Sequence, residues 1–170
     1  MDTRRLVIIR HAKAEPYAAS DVERVLAERG RAEGRLLGEW LAGEGIAPDV
    51  AFVSYAARTR ETWDVVSAGA GWTLEPAYDA QLYGTDEDGV LDLLRTAPED
   101  SATAVVVGHN PTMAVLVQLL DDGEGAASGA VDLGSFPTST AAVLEVDGSW
   151  ADLAPMGGRL TGFHVARGDD

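Results

Sequence analysis

Cysteine is absent from the 170 residues. That removes disulfides, thiolate nucleophiles and cysteine metal sites, and it suits a reducing compartment. Positive charge is scarce: 13 lysines and arginines face 28 aspartates and glutamates, a formal net charge of −15. A chain so acidic is a poor non-specific binder of nucleic acid or anionic membranes, so neither is expected as a partner. Long apolar runs are also missing, and none approaches the ~20 residues that span a bilayer. The one short run near the N-terminus has no small-residue cleavage site after it, so no signal peptide is expected and the expected location is cytoplasmic. Histidine is rare, with three in the chain. No repeat or linker divides the sequence, and its length suits one domain, residues 1–170, with a proper core.

What the chain does contain is a series of short apolar runs, each followed by a helical pattern. Residues 5–9 (RLVII) read as a strand buried on both faces. Residues 21–43 carry apolar positions at helical spacing (Val22, Val25, Leu26, Leu36, Leu37, Trp40 and Leu41), with a break expected at Gly30 and a cap at Ser20 or Asp21. Residues 50–54 are a second strand, 57–68 a helix, 72–78 an extended segment and 86–95 a helix with an acidic first turn. Residues 103–109 form another buried strand. A helix over 110–120 follows, with Pro111 at or near its first position. Residues 121–135 read as a loop and 139–153 as a hairpin turning at Asp147-Gly148. The tail from Pro155 is expected to be loosely held. The alternation predicts a single α/β domain, a three-layer sandwich with a mostly parallel sheet between helices.

Two strand ends look alike. LVIIRH stops at His11 and AVVVGH at His109. In open α/β sheets that edge is where ligands bind. The run VSYAARTRET adds Arg58 and Arg60 at the start of a helix beyond a third strand. Arg10, His11, Arg58 and His109 thus converge in a chain that has few cations to spare. Guanidinium groups grip phosphate bidentately, and a helix opened by Asn110-Pro111 adds backbone donors for an anion. The chemistry implied is attack by an imidazole on a phosphoryl group, with Arg10, Arg58, His109 and Asn110 binding its oxygens. The nucleophile must be neutral, and neighbouring arginines are expected to lower its pKa below ~6.5. Two histidines without a carboxylate cluster do not make a zinc site, so neither metal nor cofactor is expected. Lys13 and Glu15 read as rim residues, Tyr17, Trp63 and Tyr83 as packing, and His164 as unrelated to the site.

The motifs VIIRHAKAE, LAERGRAEGRLLGEWL, VSYAARTRET, LYGTDEDGVLDLL and VVVGHNPTM together resemble the histidine phosphatase superfamily, also called phosphoglycerate mutase-like. Within it they resemble the short phosphohistidine phosphatase (SixA-like) branch, over about residues 5–146. The resemblance implies that His11 becomes phosphorylated and that Arg10, Arg58 and His109 bind the phosphoryl group. Ser54 and Thr62 match the family's serine and threonine, whereas Tyr55 stands for its proline and Glu61 for its glutamine. The family's general acid, a glutamate, is matched by Gln81, which donates a proton poorly. Glu15, Asp79 and Asp86 are the alternative acids or rim groups. A missing acid favours a leaving group that needs little protonation, such as an imidazole, over an alkoxide. The expected activity is a metal-independent phosphatase working through a phosphohistidine, with phosphohistidine on a protein as substrate. A general phosphomonoesterase on small phosphoesters and a non-catalytic phosphoprotein-binding module remain the alternatives. The expected partner is a phosphorylated protein or small phosphoester, and the chain a monomer or weak dimer.

Overall fold

Apolar runs with no polar alternation need cover on both faces, and the architecture supplies it. The computed structural model describes residues 3–131 and 135–168. In chain order the elements are β1 (Arg4–Arg10), α1 (Glu28–Gly43), β2 (Val50–Ser54), α2 (Ala57–Ala70), β3 (Ala77–Asp79), α3 (Gln81–Gly84) and α4 (Glu87–Leu94). They continue with β4 (Thr103–Gly108), α5 (Thr112–Leu120), β5 (Thr140–Val146) and β6 (Gly158–Val165). The strands form one sheet in the order β3-β2-β4-β1-β5-β6. Pairings among β1 to β4 are parallel, and β5 runs antiparallel to both its neighbours. Along β1, Val7 and Ile9 face a layer in which Leu37 and Leu41 of α1 and Trp63 and Val66 of α2 pack. Leu6 and Ile8 face the opposite layer, with Leu91 and Leu94 of α4 and Met113 and Leu116 of α5. This is the expected three-layer α/β domain with a mostly parallel sheet. Among the described residues no helix is long and apolar enough to cross a membrane.

Several local expectations are corrected. The helix expected over 21–43 begins only at Glu28. Asp21–Glu23 form a separate 3-10 turn, and Leu26 makes a bridge to Ala14. The apolar spacing misled here because Val25 is 40% exposed and belongs to no core. Gly30, expected to break the helix, lies within α1, where a Cβ would stand 2.0 Å from the Lys13 carbonyl. The hairpin expected over 139–153 does not form. Gly148 does turn the chain (φ 92°), but Trp150–Asp152 then close a 3-10 turn capped by Ser149. Trp150 is fully buried and donates its indole N–H to the Ser101 carbonyl at 2.8 Å. The partner of β5 is β6, drawn from the tail expected to be loosely held. Leu160 is buried opposite Leu144 and ties that segment down. Pro111 lies next to the first position of α5, as expected, and the helix expected over 110–120 starts at Thr112. The loop expected over 121–135 is a series of turns as far as 131, and its residues 132–134 lie outside the described residues.

Helices α1 and α2 meet along glycines. A Cβ on Gly38 would stand 2.0 Å from the Val66 carbonyl, and one on Gly69 2.1 Å from the Arg35 carbonyl. The contact matters for the site, because α2 carries Arg58 and Thr62 at its first turns. We expect Gly38→Ala to lower the melting temperature by on the order of 5 °C, since overpacking costs about 1–3 kcal/mol and each kcal/mol shifts Tm by about 2–4 °C at this size. Gly43→Ala, in open space at the end of α1, should leave it unchanged or raised. Equal melting temperatures for the two variants would show that the helices separate without penalty.

Candidate active site

The parallel register does the first part of the assembly. Arg10 pairs with Gly108 at the ends of β1 and β4, so the next residue of each strand, His11 and His109, emerges beside the other. Their ring centroids lie 5.4 Å apart. His11 is held from several directions. Its N–H donates to the Gly108 carbonyl at 3.1 Å, and its carbonyl accepts the Ser139 N–H at 3.1 Å. The next N–H, of Ala12, donates to Thr62 Oγ1 on α2 at 2.9 Å. The His11 ring is only 8% exposed, and its Nδ1 lies 2.7 Å from the Ala12 carbonyl. A carbonyl only accepts, so the neutral ring carries its proton on Nδ1 and presents its lone pair at Nε2.

Burial is the main reason that the ring is neutral. It pushes His11 down to about 4, with the guanidiniums of Arg58, Arg10 and Arg24 adding to the effect and the bond to Ala12 opposing it. The arginines expected to lower this pKa therefore act second to burial. His109 is pushed down to about 3, again by burial first, then by His11 and Arg58. Its Nε2 lies 2.8 Å from Ser54 Oγ at the end of β2.

The four residues read from the strand ends are thus brought together, with Arg58 only 6% exposed. Among the described residues six buried side-chain polar atoms lack a hydrogen-bond partner, and three of them are Arg10 Nε, Arg58 Nε and His109 Nδ1. Buried polar atoms without partners are rare, and two guanidinium N–H groups beside an imidazole nitrogen suit a ligand rich in acceptor oxygens. Asn110 is more fully engaged: its amide donates to the Phe136 carbonyl at 2.7 Å and its Oδ1 accepts the Ala114 N–H at 3.3 Å. Arg10 also donates to the Phe136 carbonyl, at 3.2 Å. Among the described residues no group of three or more His, Cys, Asp or Glu side chains is placed to hold a metal ion.

Among the described residues, none of the side chains weighed as acids is bonded to Arg10, His11, Arg58 or His109. Glu15 is exposed, with its N–H on the Val25 carbonyl. Gln81 is exposed at the start of α3. Asp79 accepts the Gln81 N–H at 2.7 Å, and Asp86 accepts the Gly89 N–H at 3.0 Å as the cap of α4. The carboxylate that does meet the site is Asp21, which the sequence suggested only as a helix cap. Arg58 donates to Asp21 Oδ2 at 3.1 Å and to its carbonyl at 2.9 Å. Asp21 Oδ1 accepts from Arg24 Nε at 3.0 Å, and Oδ2 accepts the hydroxyl of Tyr83. The Tyr83 hydroxyl, followed by Arg24 and Arg58, holds the Asp21 carboxyl down to about 2 against the opposing effect of desolvation. Tyr83, read as packing, also sets its ring edge-on to His109 with centroids 5.5 Å apart. Ser139 holds the His11 carbonyl from a left-handed backbone (φ 56°). The spacing Asp21-x-x-Arg24 was the available signal for the first of these; nothing in the sequence marks the other two.

The family model for the histidine phosphatase superfamily (branch 1) matches residues 6–86. An uncharacterized protein of Mycobacterium tuberculosis is 38% identical over 162 residues, which is 94% of this chain and 100% of that protein. The solved structure of a protein from Nakamurella multipartitia, designated a candidate phosphohistidine phosphatase SixA, superposes with a TM-score of 0.84. It is 34% identical and covers 98% of each chain. Phosphohistidine phosphatase SixA of Escherichia coli is 29% identical over 122 residues, covering 71% of this chain and 76% of that protein.

The protonation states can be checked directly. In an NMR titration we expect the His11 imidazole to change charge at about pH 4 and His109 at about pH 3, both below the ~6.5 of a free side chain. Since the unfolded chain binds these protons at higher pH than the folded one, stability should fall as pH drops below ~6.5 towards 4. A midpoint near 6.5 for His11 would mean that the ring is solvated and charged in mild acid.

Proposed function

The chain belongs to the histidine phosphatase superfamily, in its SixA-like branch, and from that membership we propose that it is a metal-independent phosphatase that removes the phosphoryl group from phosphohistidine on a protein. The observation that carries the reading is the state of Asp21. It is the carboxylate bonded to the site's arginine, and with Arg24, Arg58 and Tyr83 all donating to it, it is held ionised and has no proton to give. With Asp21 ionised, the site suits a leaving group that departs without receiving a proton. An imidazole whose far nitrogen already bears a proton is such a group, and an alkoxide is not.

In the proposed mechanism His11 Nε2 attacks phosphorus while the bond from phosphorus to the substrate nitrogen breaks, and that bond's electron pair stays with the departing imidazole. The Nδ1–H···O bond to Ala12 keeps His11 in the tautomer that leaves Nε2 free. Arg10, Arg58 and His109 take up the charge spread over the equatorial oxygens. Water then attacks phosphorus from the face the imidazole has left, releasing phosphate and returning neutral His11. Asp21 joins the buried site to the surface, where a phosphorylated side chain of another protein would reach it. Pro16, Tyr17, Ser20, Asp21 and Arg24 line a depression beside it, and Tyr17 is 88% exposed.

The reading is tested with a phosphohistidine-bearing protein and an aryl phosphate, using wild type and His11→Ala. We expect wild type to turn over the phosphohistidine and to trap an acid-labile phosphoryl group on His11. The variant should lose activity by a factor on the order of 10³ or more. Turnover of the aryl phosphate alone would establish a phosphomonoesterase instead. Binding of the phosphoprotein without turnover of either would establish a binding module.

A further inference from the structure

Asp21 poses a question that the phosphatase chemistry does not answer, namely why a site built to hold a dianion keeps an ionised carboxylate on one of its two arginines. Positioning of Arg58 is an incomplete answer, because the Asp21 backbone carbonyl already accepts one of that guanidinium's N–H groups at 2.9 Å. Nor is the carboxylate saturated. A carboxylate offers about four acceptor positions. Oδ2 takes two donors, Arg58 and Tyr83, whereas among the described residues Oδ1 takes only Arg24 Nε. One acceptor position on Oδ1 is left, and the side chain is 53% exposed.

The location of that free acceptor is informative. His11 is almost buried, so an in-line displacement expels its leaving group outward, towards solvent. Asp21 is the solvent-facing partner of the buried Arg58, its side chain 53% exposed where that of Arg58 is 7%. It is also the carboxylate whose field reaches His109. A group leaving past Arg58 therefore meets a carboxylate held in place by two arginines and a tyrosine.

We propose that Asp21 is a specificity-determining residue that accepts a hydrogen bond from the far ring nitrogen of the departing imidazole, and so selects phosphohistidine over phosphate esters. The inference rests on the phosphohistidine reading above. The step balances without another reactant. The His11 Nε2–phosphorus bond forms, the substrate's nitrogen–phosphorus bond breaks, and its electron pair stays on that nitrogen. The proton already on the far nitrogen leaves with the neutral imidazole, and Asp21 remains ionised throughout. By accepting that N–H, Asp21 favours the protonated ring, which is the form that can leave. An ester has no such donor. Its departing oxygen gathers negative charge, which a neighbouring carboxylate opposes, so one side chain promotes the first substrate and discourages the second.

The experiment compares kcat/KM of wild type and Asp21→Asn on a histidine-phosphorylated peptide and on p-nitrophenyl phosphate. We expect the variant to lose on the order of 30-fold on the phosphopeptide, chiefly in kcat, as befits a charge-assisted hydrogen bond made while the group departs. Turnover of the aryl phosphate should fall far less, by no more than the loss of one partner of Arg58 costs, so the ratio between substrates moves on the order of 10-fold. The pH profile on the phosphopeptide should also shift to lower pH, because the substrate ring loses the group that favours its protonation. If Asp21 only holds Arg58, both substrates fall equally, because both present the same phosphoryl group to that arginine; an unchanged ratio overturns the proposal. If wild type ignores the phosphopeptide while hydrolysing the aryl phosphate, the phosphohistidine reading itself fails, and this inference with it.

Discussion

Burial of the imidazole at the end of the first strand is the constraint on which the rest of the site depends. A histidine in water would be partly charged near neutral pH and a poor donor of its lone pair. His11 is desolvated because β4, α2 and the entry to β5 each spend a hydrogen-bonding group on its loop. That enclosure needs a strand on each side of β1, which the order β4-β1-β5 provides, and it needs α2 drawn close enough for Thr62 to reach the Ala12 N–H. The glycine contacts between α1 and α2 are therefore part of the chemistry at one remove. They allow the approach of backbones that sets where Thr62 and Arg58 begin their reach.

Electrostatics at the site runs against the rest of the chain. With a formal charge of −15, the molecule as a whole repels a phosphoryl dianion. Arg10 and Arg58 meet this by being placed rather than numerous. Each lies against a neutralised imidazole, and each keeps one buried N–H without a partner. Arginine suits this position better than lysine, since its guanidinium stays charged when buried and its planar fork can bond a backbone carbonyl on one edge while leaving others free. Arg10 does this with Phe136 and Arg58 with Asp21.

The legible parts of the sequence were those fixed by burial on two sides. Strands β1 and β4 read as unbroken apolar runs because both faces are covered, and the histidines that end them stood out against that background. Arg58 was found because it opens a helix just beyond a third such run. The illegible parts depended on contacts between distant segments. Asp21 sits in a short turn whose apolar neighbours mimic the helix that follows, and its role appears only when Tyr83, 62 positions later, folds over it. Strand β6 was hidden by its composition: glycines and mixed polar residues read as a tail until Leu160 is set against Leu144. The left-handed backbone of Ser139 leaves no trace in the residue type, because serine gives no hint of positive φ.

The ionised state of Asp21 and its exposure are consistent with one another. An acid works by being kept protonated, which for a carboxyl requires desolvation, and desolvation would require a cover of chain over the leaving-group side. Asp21 has the opposite surroundings. It is half-exposed, and three donors converge on its carboxylate. On the proposed reading, a site reached by a protein-borne side chain cannot keep that carboxyl protonated, and a leaving group that carries its own proton does not ask it to. Accessibility to a large substrate and dispensability of the acid are on that reading one adaptation, with the ionised carboxylate as its expression.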